Sequence, residues 1–194
     1  TAKSGKFNAS INAVEFGTGD KAVKIGGENV FPLYSFDAAI ENAPKVGIEI
    51  TDFGMEHEPE CIKKYYEGCA TLADMARKAA SMEGVDFLSF RMEGGDPNGA
   101  NKSTEELIGE LKEIADAVDL PLVVCGCKNV EKDAELFSKA AEALNGKNAV
   151  ILSAKEENYK TVGAAAGLAY KQVVGAESAV DINLAKQMNV LLTQ

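Results

Sequence analysis

The sequence predicts an α/β fold assembled from parallel β/α units, and two observations carry that prediction. Four apolar runs each stop in a cluster of glycines and polar residues: Val85 to Asn101, Leu122 to Asn129, Asn148 to Lys160 and, more weakly, Gln172 to Asn183. After each cluster comes a segment with helical spacing and a capping residue. Parallel strands need such crossovers, and every strand then delivers its polar tip to the same end of the sheet. Ligands of these folds sit at the carboxyl ends of the strands, which locates the candidate site before any residue is assigned a role.

The elements follow in order. Phe7 to Gly17 and Asp20 to Val30 alternate loosely around Gly17-Thr18-Gly19-Asp20, which predicts a β-hairpin; residues 1–34 form an appendage that plugs or edges the main domain. Lys45 to Asp52 is a strand with Val46, Ile48 and Ile50 on one side and Glu49 on the other. Phe53 to Gly68 is a long loop with a short helical turn after Pro59. Ala70 to Met82 is a helix burying Leu72, Met75, Ala76 and Ala79, ended by Gly84. Phe87, Leu88 and Phe90 lie in the second strand, and Glu93 to Gly99 is a breaker-rich loop.

Ser103 and Glu106 have capping-box spacing ahead of a helix whose inner face is Leu107, Leu111, Ile114, Ala115 and Val118. Leu122 to Cys125 is the third strand. Asn129 caps the next helix, with Ala134, Phe137, Ala141 and Leu144 inward. The fourth strand, Ala149 to Leu152, leads into a small-residue helix from about Glu156 to Tyr170. The fifth, Gln172 to Gly175, leads into a helix capped by Ser178. Two architectures suit five such units: a doubly wound sheet, or a (β/α)8 barrel lacking its last units, since a complete barrel takes ~250 residues and this chain has 194.

Composition excludes several function classes. A net charge of −10, with lysines scattered among more numerous carboxylates, argues against a nucleic-acid partner. No apolar run approaches the ~20 residues that cross a bilayer, and the amino terminus has no secretion-signal pattern, so a soluble cytoplasmic protein with no membrane partner is expected. The four cysteines lack zinc or iron–sulfur spacing; Cys125 continues its strand's alternation, whereas Cys127 lies past the strand end and is better placed to face a ligand. His57 stands alone between acidic neighbours, so no metal site is assigned to this chain and no catalytic residue is named. No P-loop, dinucleotide fingerprint or Ser-His-Asp arrangement occurs.

The strand ends therefore hold the chemistry. Lys128 and Lys155 each follow a strand, where barrel aldolases keep a Schiff-base lysine, although solvated loop lysines occupy the same places. Glu93 and Asp96 are an acid/base pair or two ordinary carboxylates on a wet loop tip. Asn98, Asn129, Asn158 and Asn183 offer neutral amides, suited to a large amide-rich ligand or a pterin, and each also suits a cap or turn.

These strand-end blocks carry a resemblance. EGGDPNGAN (from Glu93), PLVVCGCKNVEKDAELF (from Pro121), SAKEENYKTVGAAA (from Ser153), SAVDINLAKQMNVLL (from Ser178) and, upstream, FPLYSFDAAIENAPKVGIEITD (from Phe31) closely resemble the small (delta) subunit of the corrinoid iron–sulfur protein. That protein serves the CO dehydrogenase/acetyl-CoA synthase system of the Wood–Ljungdahl pathway. The resemblance implies the amino-terminal part of a (β/α)8 TIM-type barrel over residues 45–194, its first five β/α units. It implies a corrinoid of the cobalamin type shared with a large subunit, which also carries the iron–sulfur cluster. It further implies transient partnership with a methyl-pterin methyltransferase and with acetyl-CoA synthase, between which the cobalt carries a methyl group.

By the same resemblance Glu93, Gly94, Asp96, Asn98, Cys127, Ser153, Ala154 and Asn158 face the corrinoid or its domain, in a sheltering rather than bond-making role. An alternative is a methyltetrahydrofolate-dependent methyltransferase on the same barrel. Two departures stand out: Lys128 where relatives often read glycine, and Ala179 where they often read proline.

Overall fold

The computed structural model describes residues 10–28 and 40–193. Five strands form one parallel sheet in strict sequence order: β3 (Gly47–Thr51), β4 (Phe87–Arg91), β5 (Leu122–Cys125), β6 (Val150–Ala154) and β7 (Val173–Ala176). A doubly wound sheet reverses its order at a switch point, and this one does not, so that alternative is overturned. Right-handed crossovers in a sequential sheet place every helix on one face. The sheet is open, with β3 and β7 at its edges, and no closed barrel is formed among the described residues.

The helical face is the core. Ile50, Leu88, Phe90, Leu122, Val124 and Ile151 project from alternate strand positions, and Leu88, Phe90, Val124 and Ile151 are wholly buried. Against them pack α2 (Leu72–Ala80), α3 (Thr104–Ala117) and α4 (Val130–Ala143) through Met75, Ala76, Leu107, Leu111, Ile114, Leu136 and Phe137. Each of the larger apolar side chains contributes ~1.5–3 kcal/mol by leaving water.

Helix starts are chemically specified. Thr71 and Asp74 form a reciprocal capping box on α2, a pairing not anticipated from the sequence. Ser103 accepts from the Glu106 amide, the first half of the expected capping box, while no return bond to the Glu106 carboxylate forms among the described residues; Asn129 accepts from the Lys132 amide as expected. The expected Ser178 cap is corrected: Asp181 Oδ1 accepts from the amides of Asn183 and Leu184 at 2.8 and 3.2 Å, opening α6 (Ile182–Thr193). Before it, Val180 takes a positive φ of 51°, which turns the chain away from Ser178. The small-residue helix starts at Tyr159 rather than Glu156, because Asn158 Oδ1 ties back to the Lys155 amide and holds a turn there. It runs as α5 (Tyr159–Val162) and continues with π-type winding over Gly163–Ala169. The long loop after β3 contains the short helix α1 (Glu60–Tyr65).

The hairpin is present as β1 (Val14–Phe16) and β2 (Val23–Ile25), antiparallel in the register Val14↔Ile25. Phe7 to Ala9, Asn29 and Val30 of the expected hairpin lie outside the described residues, as do Phe31 to Ala39. Phe16 and Val23 pack on the sheet face away from the helices, against Val123, Cys125, Val150 and Val173, and Phe16 meets Phe87 edge-on at 5.8 Å. Gly17 donates to the Asn148 carbonyl at 2.7 Å and adopts φ 81°, and a Cβ there would collide with Pro121. Pro121 and Asn148 precede β5 and β6, so the hairpin closes the amino end of the inner face and leaves the carboxyl end to other residues.

Candidate functional site at the carboxyl ends of the strands

Two buried carboxylates hold the strand-end loops in place. Asp52, at the end of β3, accepts from the Gly94 amide through Oδ1 and Oδ2 at 2.9 and 3.1 Å. Its side chain is fully buried and pairs with Lys102 Nζ at 3.1 Å. Lys102 also donates to the Asp52 carbonyl at 2.9 Å and to Glu110 Oε1 at 3.1 Å. Burial opposes the charge of Lys102, but its bonds to Asp52 and Glu110 outweigh that and raise its pKa. Glu110 Oε2 is buried and has no partner among the described residues; desolvation pushes this carboxyl above its ordinary value.

The second carboxylate is Asp133, in the first turn of α4. Its Oδ1 accepts from the Cys127 amide at 2.7 Å, and a Cβ at Gly126 would overlap it. Desolvation raises the Asp133 pKa, and the same cause pushes the Cys127 thiol up to about 11. Each carboxylate thus serves as an acceptor for a turn of backbone that follows a strand and leaves no room for a side chain there.

The inner face grades from apolar to charged toward the carboxyl end. Arg91 donates through Nε and Nη2 to the two Glu49 carboxylate oxygens at 3.0 and 2.9 Å, which raises the guanidinium's pKa. The Ser89 hydroxyl bridges Glu49 and the Cys125 thiol, at 3.3 and 3.6 Å. Above this lies a cleft of about 240 Å³ lined by Arg91, Cys125, Gly126, Lys128, Asp133, Leu152, Ser153, Lys155 and Glu177. A larger groove of about 540 Å³ between α3 and α4 lies on the outer surface and holds none of these strand-end residues.

The eight residues assigned to a ligand wall are separated by burial. Glu93 and Asn98 are exposed, while Asp96 and Ser153 are half-buried. Asp96 Oδ1 accepts from both the amide and the side chain of Asn98, a local turn contact. Gly94, Cys127, Ala154 and Asn158 are buried. Cys127 turns toward the helical core, and Asn158 braces the β6–α5 turn to the start of α4 by donating to the Val130 carbonyl at 3.2 Å. The reading of Glu93 to Gly99 as a wet loop is corrected in part: Glu93–Gly95 is a 3₁₀ turn whose two glycines are buried. Arg91, Glu49, Lys102, Glu110 and Asp133 were not singled out from the sequence. Strand alternation places Arg91 and Glu49 on the inner face, whereas the others are found only through long-range contacts.

Comparison with known proteins bears on this arrangement. Residues 13–194 match the family model described as CO dehydrogenase/acetyl-CoA synthase delta subunit. The acetyl-CoA decarbonylase/synthase complex subunit delta of Methanothermobacter thermautotrophicus is 31% identical over 94% of this chain and 47% of its own length. The same subunit of Methanocaldococcus jannaschii is 30% identical over 97% of this chain and 48% of its own. That of Archaeoglobus fulgidus is 30% identical over 89% and 38%. The chain spans about half or less of the length of these curated relatives. On this match, which covers nearly all of its residues, the chain belongs to the CO dehydrogenase/acetyl-CoA synthase delta subunit family.

Proposed function

We propose that this chain is the corrinoid-sheltering part of a delta subunit, with its carboxyl-end face forming one wall of a corrinoid site completed by a large partner subunit. Residues 45–194 are the first five β/α units of a (β/α)8 barrel in this reading, and residues 1–34 are its hairpin appendage. The strict sequential strand order supports it, because a barrel winds in that order and a doubly wound sheet does not. The partner carries the iron–sulfur cluster. When bound, the corrinoid supplies a cobalt that carries a methyl group from a methyl-pterin methyltransferase to acetyl-CoA synthase.

The observation that carries this reading is the division of labour at the strand ends. The buried carboxylates Asp52 and Asp133 are committed to backbone amides, so among the described residues neither stands free as an acid or base. What the face presents outward is a broad set of donors and acceptors: Asn98, Ser153, Asp96, Glu93 and the backbone that they flank. Such a set fits a large macrocycle bearing many carboxamides, which needs area and hydrogen bonds rather than a reactive side chain. These residues orient the ligand and exclude water from one side of it.

The test is to co-purify the full-length subunit with its large partner under cobalt-replete conditions. Corrinoid absorbance and near-stoichiometric cobalt are expected in the complex, and a complex that forms without cobalt ends the proposal.

A further inference from the structure

The cleft above Arg91 contains three cationic groups with unused hydrogen-bonding capacity. Lys128 and Lys155 both line it, and neither ammonium is paired with a carboxylate among the described residues. Lys155 lies near enough to Asp133 to favour that carboxylate's charged form, yet does not form an ion pair with it. Arg91 commits Nε and Nη2 to Glu49 and leaves Nη1 without an acceptor among the described residues.

Lys128 adds a second, independent observation. It adopts φ 72°, in the left-handed region where a side chain costs roughly 1–2 kcal/mol and glycine is at ease. A lysine held there carries strain that a glycine would remove. Two carboxylates, Asp133 and Glu177, line the same cleft. Asp133 is buried with Oδ1 turned to the Cys127 amide, and Glu177 is exposed on the rim.

We propose that this cleft binds a small oxyanion, a carboxylate or phosphate group, between Lys128 and Lys155 with the free edge of Arg91 as the third donor. A volume of about 240 Å³ suits such a group, either as a free ion or as the arm of a larger molecule. The cleft shares Ser153 with the face proposed to shelter the corrinoid, and the oxyanion site is tested on this chain alone.

The experiment titrates the full-length protein, free of its partner and of corrinoid, with inorganic phosphate and separately with glutarate at low ionic strength. Calorimetry and lysine-selective NMR report the binding. Millimolar or tighter binding of at least one probe is expected, and the preferred probe identifies the phosphate or the carboxylate as the natural group. Lys128→Gly is expected to weaken binding roughly fivefold or more while raising the unfolding midpoint, so the loss cannot be ascribed to misfolding. Glu177→Gln is expected to tighten binding by removing the competing carboxylate. Absence of binding by either probe overturns the proposal. So does binding that stays within about twofold in both Lys128→Gly and Lys155→Gln.

Discussion

The Asp52 carboxylate grips the Gly94 amide through both of its oxygens, and a Cβ on Gly94 would stand 2.2 Å from Asp52 Oδ2. The two residues are 42 positions apart, on the loops after adjacent strands β3 and β4. Their contact sets the height at which the Glu93 to Asn101 loop leaves the sheet.

Gly94→Ala should therefore cost about 1–3 kcal/mol, since the methyl group must displace a buried, paired carboxylate. Gly99→Ala, where a Cβ meets only ordinary contacts at 3.7 and 3.8 Å, should stay within about 0.5 kcal/mol. Denaturant unfolding of the two variants measures the contrast, and equal costs would contradict the contact.

Glu110 gives a pH prediction. Its folded-state pKa lies above the ordinary 4.5, chiefly through desolvation, so the folded chain binds that proton more tightly than the unfolded chain. Its contribution to stability is full below pH 4.5 and is lost as pH rises through the raised folded value. Glu110→Gln keeps an acceptor for Lys102 and removes the titration. Thermal unfolding from pH 4 to 8 should show a shallower fall in the variant, and an unchanged slope would be evidence against a raised Glu110.

Gln172 staples three elements from a buried position. Its Oε1 accepts from the Ala149 amide at 2.6 Å, and its Nε2 donates to the Leu144 and Tyr170 carbonyls, both at 3.1 Å. Gln172→Leu preserves volume but strands these groups, for a loss of about 1–3 kcal/mol. A loss below ~0.5 kcal/mol in denaturant titrations would mean that the backbone finds other partners.

Phe16→Ala should cost about 3 kcal/mol and free the hairpin as a unit. Hydrogen exchange at the Gly17 amide, bonded to Asn148, should then accelerate far more than exchange at β5 amides. Uniform acceleration across the sheet would show that the hairpin is not a separable plug.

The strands were legible because Leu88 with Phe90 and Leu122 with Val124 stand at alternate positions and end in glycine or polar residues. Local caps were legible where the side chain acts three residues away, as at Asn129 and Ser103. The α6 cap falls on Asp181 rather than Ser178, because the positive-φ turn at Val180 separates Ser178 from the helix start. The candidate site was legible as a place but not as a set of contacts. Lys102 reaches back 50 residues to the Asp52 carbonyl, and Arg91 pairs with Glu49 across 42, separations at which periodicity carries no information.

The glycine–carboxylate pairs at Gly94 with Asp52 and at Gly126 with Asp133 have an evolutionary consequence. Neither member can change alone: a larger residue at the glycine requires a shorter one opposite, and a longer acid requires more backbone clearance. In descendants of this sequence the two pairs should change together or not at all. Exposed tips such as Glu93 and Glu156 are under no such bond and can drift singly. Recognition at this end of the sheet can therefore be retuned by surface substitutions while the two anchored turns are inherited intact.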